Sequence, residues 1–374
     1  MSGLYIHIPF CKKACHYCDF HFSTQSIYQD RMVSCIINEI EQKKELIHTT
    51  ETIYFGGGTP SILNPNQLDR IFKKLNEVVD FSRIQECTIE SNPDDINKEF
   101  LSYLKNTPID RFSLGVQSFH EDELVYMNRA HNAKEAQSAI ELIQKVGFDK
   151  LSIDLIYGMP ESDDFKWKEN ISKVLEFEPD HISAYCLTIE PNTVLDRWIK
   201  KGKIPPIPDE LGIRQFKLLI QYLENAGYDH YEISNFARSN KRALHNTNYW
   251  RGKSYVGIGP SAHSYNPLLA ERSWNISNNI KYMNALEGDK LYFEKEVLSS
   301  NEQFNEFVMI NLRTKEGIDI KLMEEKFGTY FLNAFLKELK SIESSLIRQS
   351  NNIVYLTTEG KLLSDHIIAQ FFVV

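Results

Sequence analysis

The stretch Tyr5-Ile-His-Ile-Pro-Phe-Cys11-Lys-Lys-Ala-Cys15-His-Tyr-Cys18-Asp-Phe20 sets a short apolar run directly before three cysteines. The run Leu4 to Pro9 has the length and composition of a strand, and the cysteines fall in the loop that follows. Three thiolates spaced by three and then two residues can each reach a different iron of one cubane cluster, because short turns let the sulfurs converge, and one iron is left without a protein ligand. The same residues are compatible with a Cys3His zinc site in which His16 or His21 is the fourth ligand, although structural zinc usually takes paired half-sites. Six cysteines in 374 residues are too few for a disulfide scaffold. Half of them crowd into one loop, which in a reducing compartment reads as metal-binding or catalytic. Cys35, Cys87 and Cys186 are expected to be small buried hydrophobes.

Outward from this segment, apolar β-branched runs recur at Thr52–Phe55, Glu86–Glu90, Arg111–Val116, Leu151–Tyr157 and His181–Thr188. Between them lie stretches of helical spacing, at Tyr28–Leu46, Pro65–Val79, Ala133–Val146, Phe165–Phe177 and Asp209–Ala226. Strand and helix alternate about six times, so the fold class is α/β, a parallel sheet with right-handed crossovers curling into a partial, TIM-like (β/α)6 barrel. Such barrels place their sites at the carboxyl ends of the strands. Cys11, Gly56–Thr59, Glu90–Asn92 and Gln117 all fall there.

The expected division is a barrel core at 1–227, an extension at 228–289 and a C-terminal α+β, winged-helix-like domain at 290–374. In the extension, Tyr228–Phe236 and Tyr255–Tyr265 read as strands around a polar, aromatic loop. In the last part, Ser300–Leu312 opens on a Ser-x-x-Gln capping pattern, helices follow near Ile320–Phe327 and Phe331–Ile342, and Asn352–Thr357 reads as a strand. A net charge of −9 with no long basic run argues against nucleic acid as a main partner. No apolar stretch approaches the roughly 20 residues of a membrane span, and no export signal is evident, so the expectation is a cytoplasmic protein with no stable membrane insertion.

CxxxCxxC after an N-terminal strand, followed by Gly-Gly-Gly-Thr-Pro at Gly56–Pro60, resembles the radical S-adenosylmethionine (SAM) superfamily. Within it, Tyr5–Cys11, Glu90-Ser-Asn-Pro, Gly115-Val-Gln-Ser-Phe119, Asn128-Arg129-x-His131 and Asp154–Pro160 are similar to the oxygen-independent coproporphyrinogen oxidase group, over essentially the whole chain. The resemblance implies that Cys11, Cys15 and Cys18 hold a 4Fe-4S cluster whose open iron binds SAM, and that reduction of SAM yields a 5′-deoxyadenosyl radical. It further implies a SAM site of Tyr5, Gly57, Gly58, Thr59, Glu90, Gln117, Arg129 and Asp154. Glycines there permit close backbone approach, and the polar residues offer hydrogen bonds to ribose and amino acid groups. Taken singly, each polar residue is as readily a satisfied structural partner.

His245-Asn-Thr-Asn-Tyr249-Trp250 has the pattern HNxxYW and resembles a signature of the HemW branch, the heme chaperones of the group. Imidazole is a competent axial ligand for heme iron, and Tyr249 and Trp250 offer a flat apolar wall. Without the resemblance this would be a loop histidine beside two packing aromatics. Phe20 stands where coproporphyrinogen dehydrogenases carry a fourth cysteine, which also favours the HemW branch. The expected cofactors are therefore the cluster, SAM and heme, with an unidentified haemoprotein as the acceptor and no residue assigned a catalytic role. The alternative is oxidative decarboxylation of coproporphyrinogen III.

Overall fold

The chain was analysed as a computed structural model, which describes residues 2–160 and 162–374; Met1 and Glu161 lie outside them. Among the described residues, twelve strands form one mixed sheet. Its centre is β1 (Ser2–Ile8), β2 (Thr50–Gly57), β3 (Glu86–Ser91), β4 (Arg111–Gln117), β5 (Lys150–Tyr157) and β6 (His181–Cys186). Each of these pairs with the next in parallel. Parallel strands covered by crossover helices must be apolar on both faces. Leu4, Ile6, Ile53, Phe55, Ile89, Leu114 and Ile153 accordingly have no solvent exposure.

The crossover helices follow their sequence patterns closely. Pro65–Val78 buries Leu68, Ile71, Phe72 and Leu75, the i, i+3, i+4, i+7 stripe of one face. Asn64 caps it: its side chain accepts from the Gln67 N–H while Gln67 bonds back to Asn64. The run expected over Tyr28–Leu46 divides into Gln29–Gln42 and Lys44–Ile47.

Beyond residue 227 the structure departs from the expectation. β7 (Asp229–Glu232) and β8 (Asn235–Ala237) add an antiparallel hairpin beside β6. The polar, aromatic segment is a helix, Leu244–Trp250, rather than a loop. The chain then crosses to the other edge, where β9 (Ser254–Ile258) runs parallel to β1. The antiparallel strands β10 (His263–Asn266), β11 (Glu271–Asn275) and β12 (Phe293–Val297) follow it outward. The single strand expected over Tyr255–Tyr265 is thus two. At the crossing between them a Cβ on Gly257 would meet the His263 carbonyl oxygen at 2.2 Å, so only glycine fits.

The C-terminal part has its own core of Phe304, Phe335, Val354, Leu356 and Phe371. Helices Ser300–Leu312, Ile320–Phe327 and Thr329–Leu339 pack beside a small sheet of β13 (Ile318–Asp319), β14 (Ile347–Ser350) and β15 (Ile353–Leu356), followed by Thr358–Leu362 and Ser364–Gln370. The first helix is capped by Ser299 with Glu302, one residue earlier than the Ser300/Gln303 pattern. This part is tied to the β7–β8 hairpin: the Lys315 N–H donates to the Tyr231 carbonyl, the Ile233 N–H donates to that of Arg313, and Arg242 pairs with both Asp229 and Glu316.

Candidate functional site

The cysteine loop is pinched where it leaves β1. The Cys11 N–H donates to the Ser23 carbonyl at 3.1 Å and the Ser23 N–H to that of Pro9 at 2.9 Å, which folds the intervening residues back over the carboxyl end of the sheet. Cys11, Cys15 and Cys18 are each partly exposed within it. The Thr59 hydroxyl reaches the Cys11 sulfur at 3.5 Å and an Arg129 Nη the Cys15 sulfur at 3.3 Å. Burial pushes the Cys11 thiol up to about 11 and Cys18 to about 12, and neighbouring sulfurs push both in the same direction. Thiols raised as Cys11 and Cys18 are ionise only beside positive charge, which a bound metal centre would supply. Among the described residues no three His, Cys, Asp or Glu side chains surround one point, as a single zinc ion would need. His16 Nδ1 faces the Tyr126 carbonyl at 2.7 Å, and His21 Nε2 faces Asn279 Oδ1 at 2.7 Å.

The glycines of β2 lie against this loop. Gly57 has φ +115°, and a Cβ on Gly58 would stand 2.6 Å from the Phe10 carbonyl oxygen, so the strand end and the start of the loop are in backbone contact. The Glu90 carboxylate lies across them, accepting from the Tyr54 hydroxyl at 2.8 Å and the Gly57 N–H at 3.1 Å. Burial raises its pKa to about 7. Tyr5 stacks on Tyr54 at 6.0 Å, and its hydroxyl meets His7 Nδ1 at 3.1 Å.

Arg129 links the loop to the barrel. One Nη donates to Asn92 Oδ1 at 2.7 Å and to the Gly115 carbonyl at 2.8 Å, while the other reaches the Tyr17 hydroxyl at 3.3 Å and the Cys15 sulfur. Its buried Nε has no partner among the described residues, a donor left over where an anionic group would be accommodated. Gln117 ends β4 in a left-handed conformation, φ 68°, with its amide against Gly115. Asp154 lies deeper in the barrel, accepting from the Ser113 hydroxyl at 3.1 Å. The donor set, the glycine cradle and the leftover guanidinium N–H all suit a cluster with an amino acid ligand beside it.

A cavity of about 1030 Å³ opens from this corner. It begins at Tyr5, Gly57, Glu90 and Phe20, whose ring is 70% exposed, and runs past Tyr249 and Trp250 to the helix Ser300–Leu312. The expected heme residues separate here. Tyr249 and Trp250 line the cavity, whereas His245 is 1% exposed beneath it. Thr52 Oγ1 meets its Nδ1 at 2.9 Å and the Tyr249 hydroxyl its Nε2 at 2.8 Å. Both ring nitrogens are thus engaged, burial lowers its pKa to about 3, and the geometry does not present it as an axial ligand.

Asn92, which the sequence places at the carboxyl end of the third strand without a role, bridges Thr59 and Arg129, and Tyr54 carries no signal in the motifs. Tyr255, His263, Tyr265 and Arg272 also line the cavity. Their alternation in β9–β11 was the available signal. Cys186, expected to be buried, is exposed at the end of β6, while Cys35 and Cys87 are buried.

The family model described as the radical SAM superfamily matches residues 5–173, and the HemN C-terminal domain matches residues 298–363. A relative from Bacillus subtilis named heme chaperone HemW is 34% identical over 99% of both chains. Its namesake from Haemophilus influenzae is 31% identical over 99% of this chain and 97% of its own. In solved structures, the coproporphyrinogen III oxidase HemN of Escherichia coli, a radical SAM enzyme, superposes with a TM-score of 0.85 over 99% of this chain and 89% of that one, at 23% identity.

Proposed function

The chain belongs to the radical SAM superfamily and, within it, to the HemW family, and from that premise we propose that it binds heme and passes it to an acceptor haemoprotein. Membership implies a 4Fe-4S cluster and SAM, which together supply one-electron reductive cleavage of a carbon–sulfur bond. In this reading Cys11, Cys15 and Cys18 hold the cluster, and the Thr59 hydroxyl and Arg129 guanidinium temper the charge on two of the sulfurs. Gly57 and Gly58 hold the end of β2 in backbone contact with the start of the cysteine loop, their N–H groups on Glu90 and Ile8, and the methionine part of SAM would lie beside this corner. Glu90 accepts from the ribose hydroxyls, Tyr5 closes the pocket beside it, and Gln117, Arg129 and Asp154 provide the remaining polar contacts. Residues 1–227 would carry this site, 228–289 the sheet wall of the cavity and 290–374 its outer wall.

The observation that carries the reading is the single cavity in which the HNxxYW aromatics Tyr249 and Trp250 share walls with Glu90 and Gly57. Its volume of about 1030 Å³ stands at the top of the roughly 300–1,000 Å³ range of small-ligand pockets, room enough for a macrocycle. His245 acts by holding Tyr249 through its Nε2 hydrogen bond rather than by meeting the cargo. We place the activity in the cytoplasm and without nucleic acid as partner: the net charge is −9, and no described helix is long and apolar enough to cross a membrane. The test is heme titration of the anaerobically reconstituted protein, with and without SAM, alongside 5′-deoxyadenosine production. Protein that carries the cluster and binds SAM but takes up no heme would sink the reading. A second reading, oxidative decarboxylation of coproporphyrinogen III, draws on the same shared cavity. Robust protoporphyrinogen formation in an anaerobic assay would put it first.

A further inference from the structure

We propose that His263 is the side chain that ligates the iron of the porphyrin cargo, and that Arg251 and Lys326 receive the cargo's two carboxylates; this rests on the heme reading above. Three histidines line the cavity, His7, His21 and His263. His7 has Nδ1 against the Tyr5 hydroxyl at 3.1 Å and Nε2 against the His21 carbonyl at 2.9 Å. His21 has Nε2 on Asn279 at 2.7 Å and Nδ1 near Ser277 at 3.4 Å. His245, below the floor, is engaged at both nitrogens. His263 alone of these is exposed, and its ring makes no hydrogen bond among the described residues. A neutral imidazole with a free ring nitrogen in an aromatic chamber is the common form of a heme ligand.

The surroundings favour a flat dianionic macrocycle. His263 pairs with Trp274 and Tyr265 with Arg272 across β10 and β11, so His263 and Tyr265 stand on one sheet face, with the His263 ring 6.2 Å from that of Trp274. The His263 backbone is wedged against Gly257, which holds the ligand on rigid sheet rather than on a loop. The helix Ser300–Leu312 contributes Phe307 and Ile310 as the apolar side. Of four cavity cations, Arg242 is spent on Asp229 and Glu316, and Arg272 on Glu296 and Glu306. Arg251 and Lys326 have no carboxylate partner among the described residues; Lys326 lies over the rings of Phe307 and Phe327 at 5.5 and 5.2 Å. Two open cations match two propionates.

The test is hemin titration of cluster-loaded protein, followed by absorption, resonance Raman and electron paramagnetic resonance. His263→Gly should lose the imidazole-ligated signature and weaken binding by about tenfold or more, and free imidazole should restore the signature. His263→Met should replace it by a thioether-ligated one, which also covers the case in which imidazole fails to enter. Arg251→Gln with Lys326→Gln should keep the signature and weaken affinity by about tenfold. Wild-type protein that takes up no hemin overturns the heme reading and this proposal with it. Wild-type protein that binds while both His263 variants keep its spectrum and affinity overturns the assignment of His263 alone, and a double variant that binds as wild type overturns the role of the two cations.

Discussion

Glu90 carries the most telling titration in the site. Its carboxyl has a pKa of about 7 in the folded chain against an ordinary 4.5, chiefly through burial. The folded state therefore holds this proton more tightly than the unfolded chain, and ionisation erodes stability as pH rises from about 4.5 to about 7. Glu90→Gln should raise the Tm of the cofactor-free protein at pH 8, by an amount equivalent to roughly 1–3 kcal/mol, and the gain should vanish below pH 5, while SAM affinity falls. Thermal denaturation at the two pH values, with SAM binding by calorimetry, checks it. At Gly58 the constraint is steric: with the Phe10 carbonyl 2.6 Å from where a Cβ would stand, Gly58→Ala forces backbone apart. The expected cost is about 1–3 kcal/mol, together with reduced iron and sulfide content after reconstitution.

At the scale of elements, the helix Leu244–Trp250 shows why part of the fold was legible and part was not. The barrel helices announce themselves by apolar stripes and local caps, as Asn132 and Glu135 do for Ala133–Val146. Leu244–Trp250 instead has its first N–H groups satisfied by the Glu86 carboxylate, from 158 and 159 residues away, each at 2.9 Å. No local signal could have marked it as helical. The same distance hid the environment of His245: HNxxYW names the residues, but Thr52 on β2 occupies its Nδ1. Glu86→Ala should leave two N–H groups without a partner and cost about 1–3 kcal/mol by denaturant unfolding. In the C-terminal part, Ser299→Ala removes a local cap and should cost about 0.5–2 kcal/mol, read in the same way. There the capping pattern was visible in sequence but placed one residue late. The cysteine loop and the glycines packed against it were legible because the residues of each lie close together in sequence. The contacts of Asn92, Tyr54 and His263 were not, because each acquires its neighbours only from distant parts of the chain.

Across the whole molecule, the cavity is assembled from the barrel, the sheet extension and the C-terminal helices, so its shape depends on how these stay docked. Arg242 joins the β7–β8 hairpin to Glu316, and Arg242→Ala should cost about 1 kcal/mol or less while raising hydrogen exchange around Arg313–Glu316. A row of rings runs through the same assembly. Tyr5 lies 6.0 Å from Tyr54, which is 5.1 Å from His245; Tyr249 follows at 5.0 Å, Tyr255 at 4.7 Å and Tyr265 at 6.2 Å. Stacked at one end and edge-on at the other, these six plates register one another's position from the cysteine-loop corner to the outer strands. Pulling out the third plate, His245, would slacken the row in both directions at once, so a variant there should disturb the cysteine-loop corner and the outer strands together.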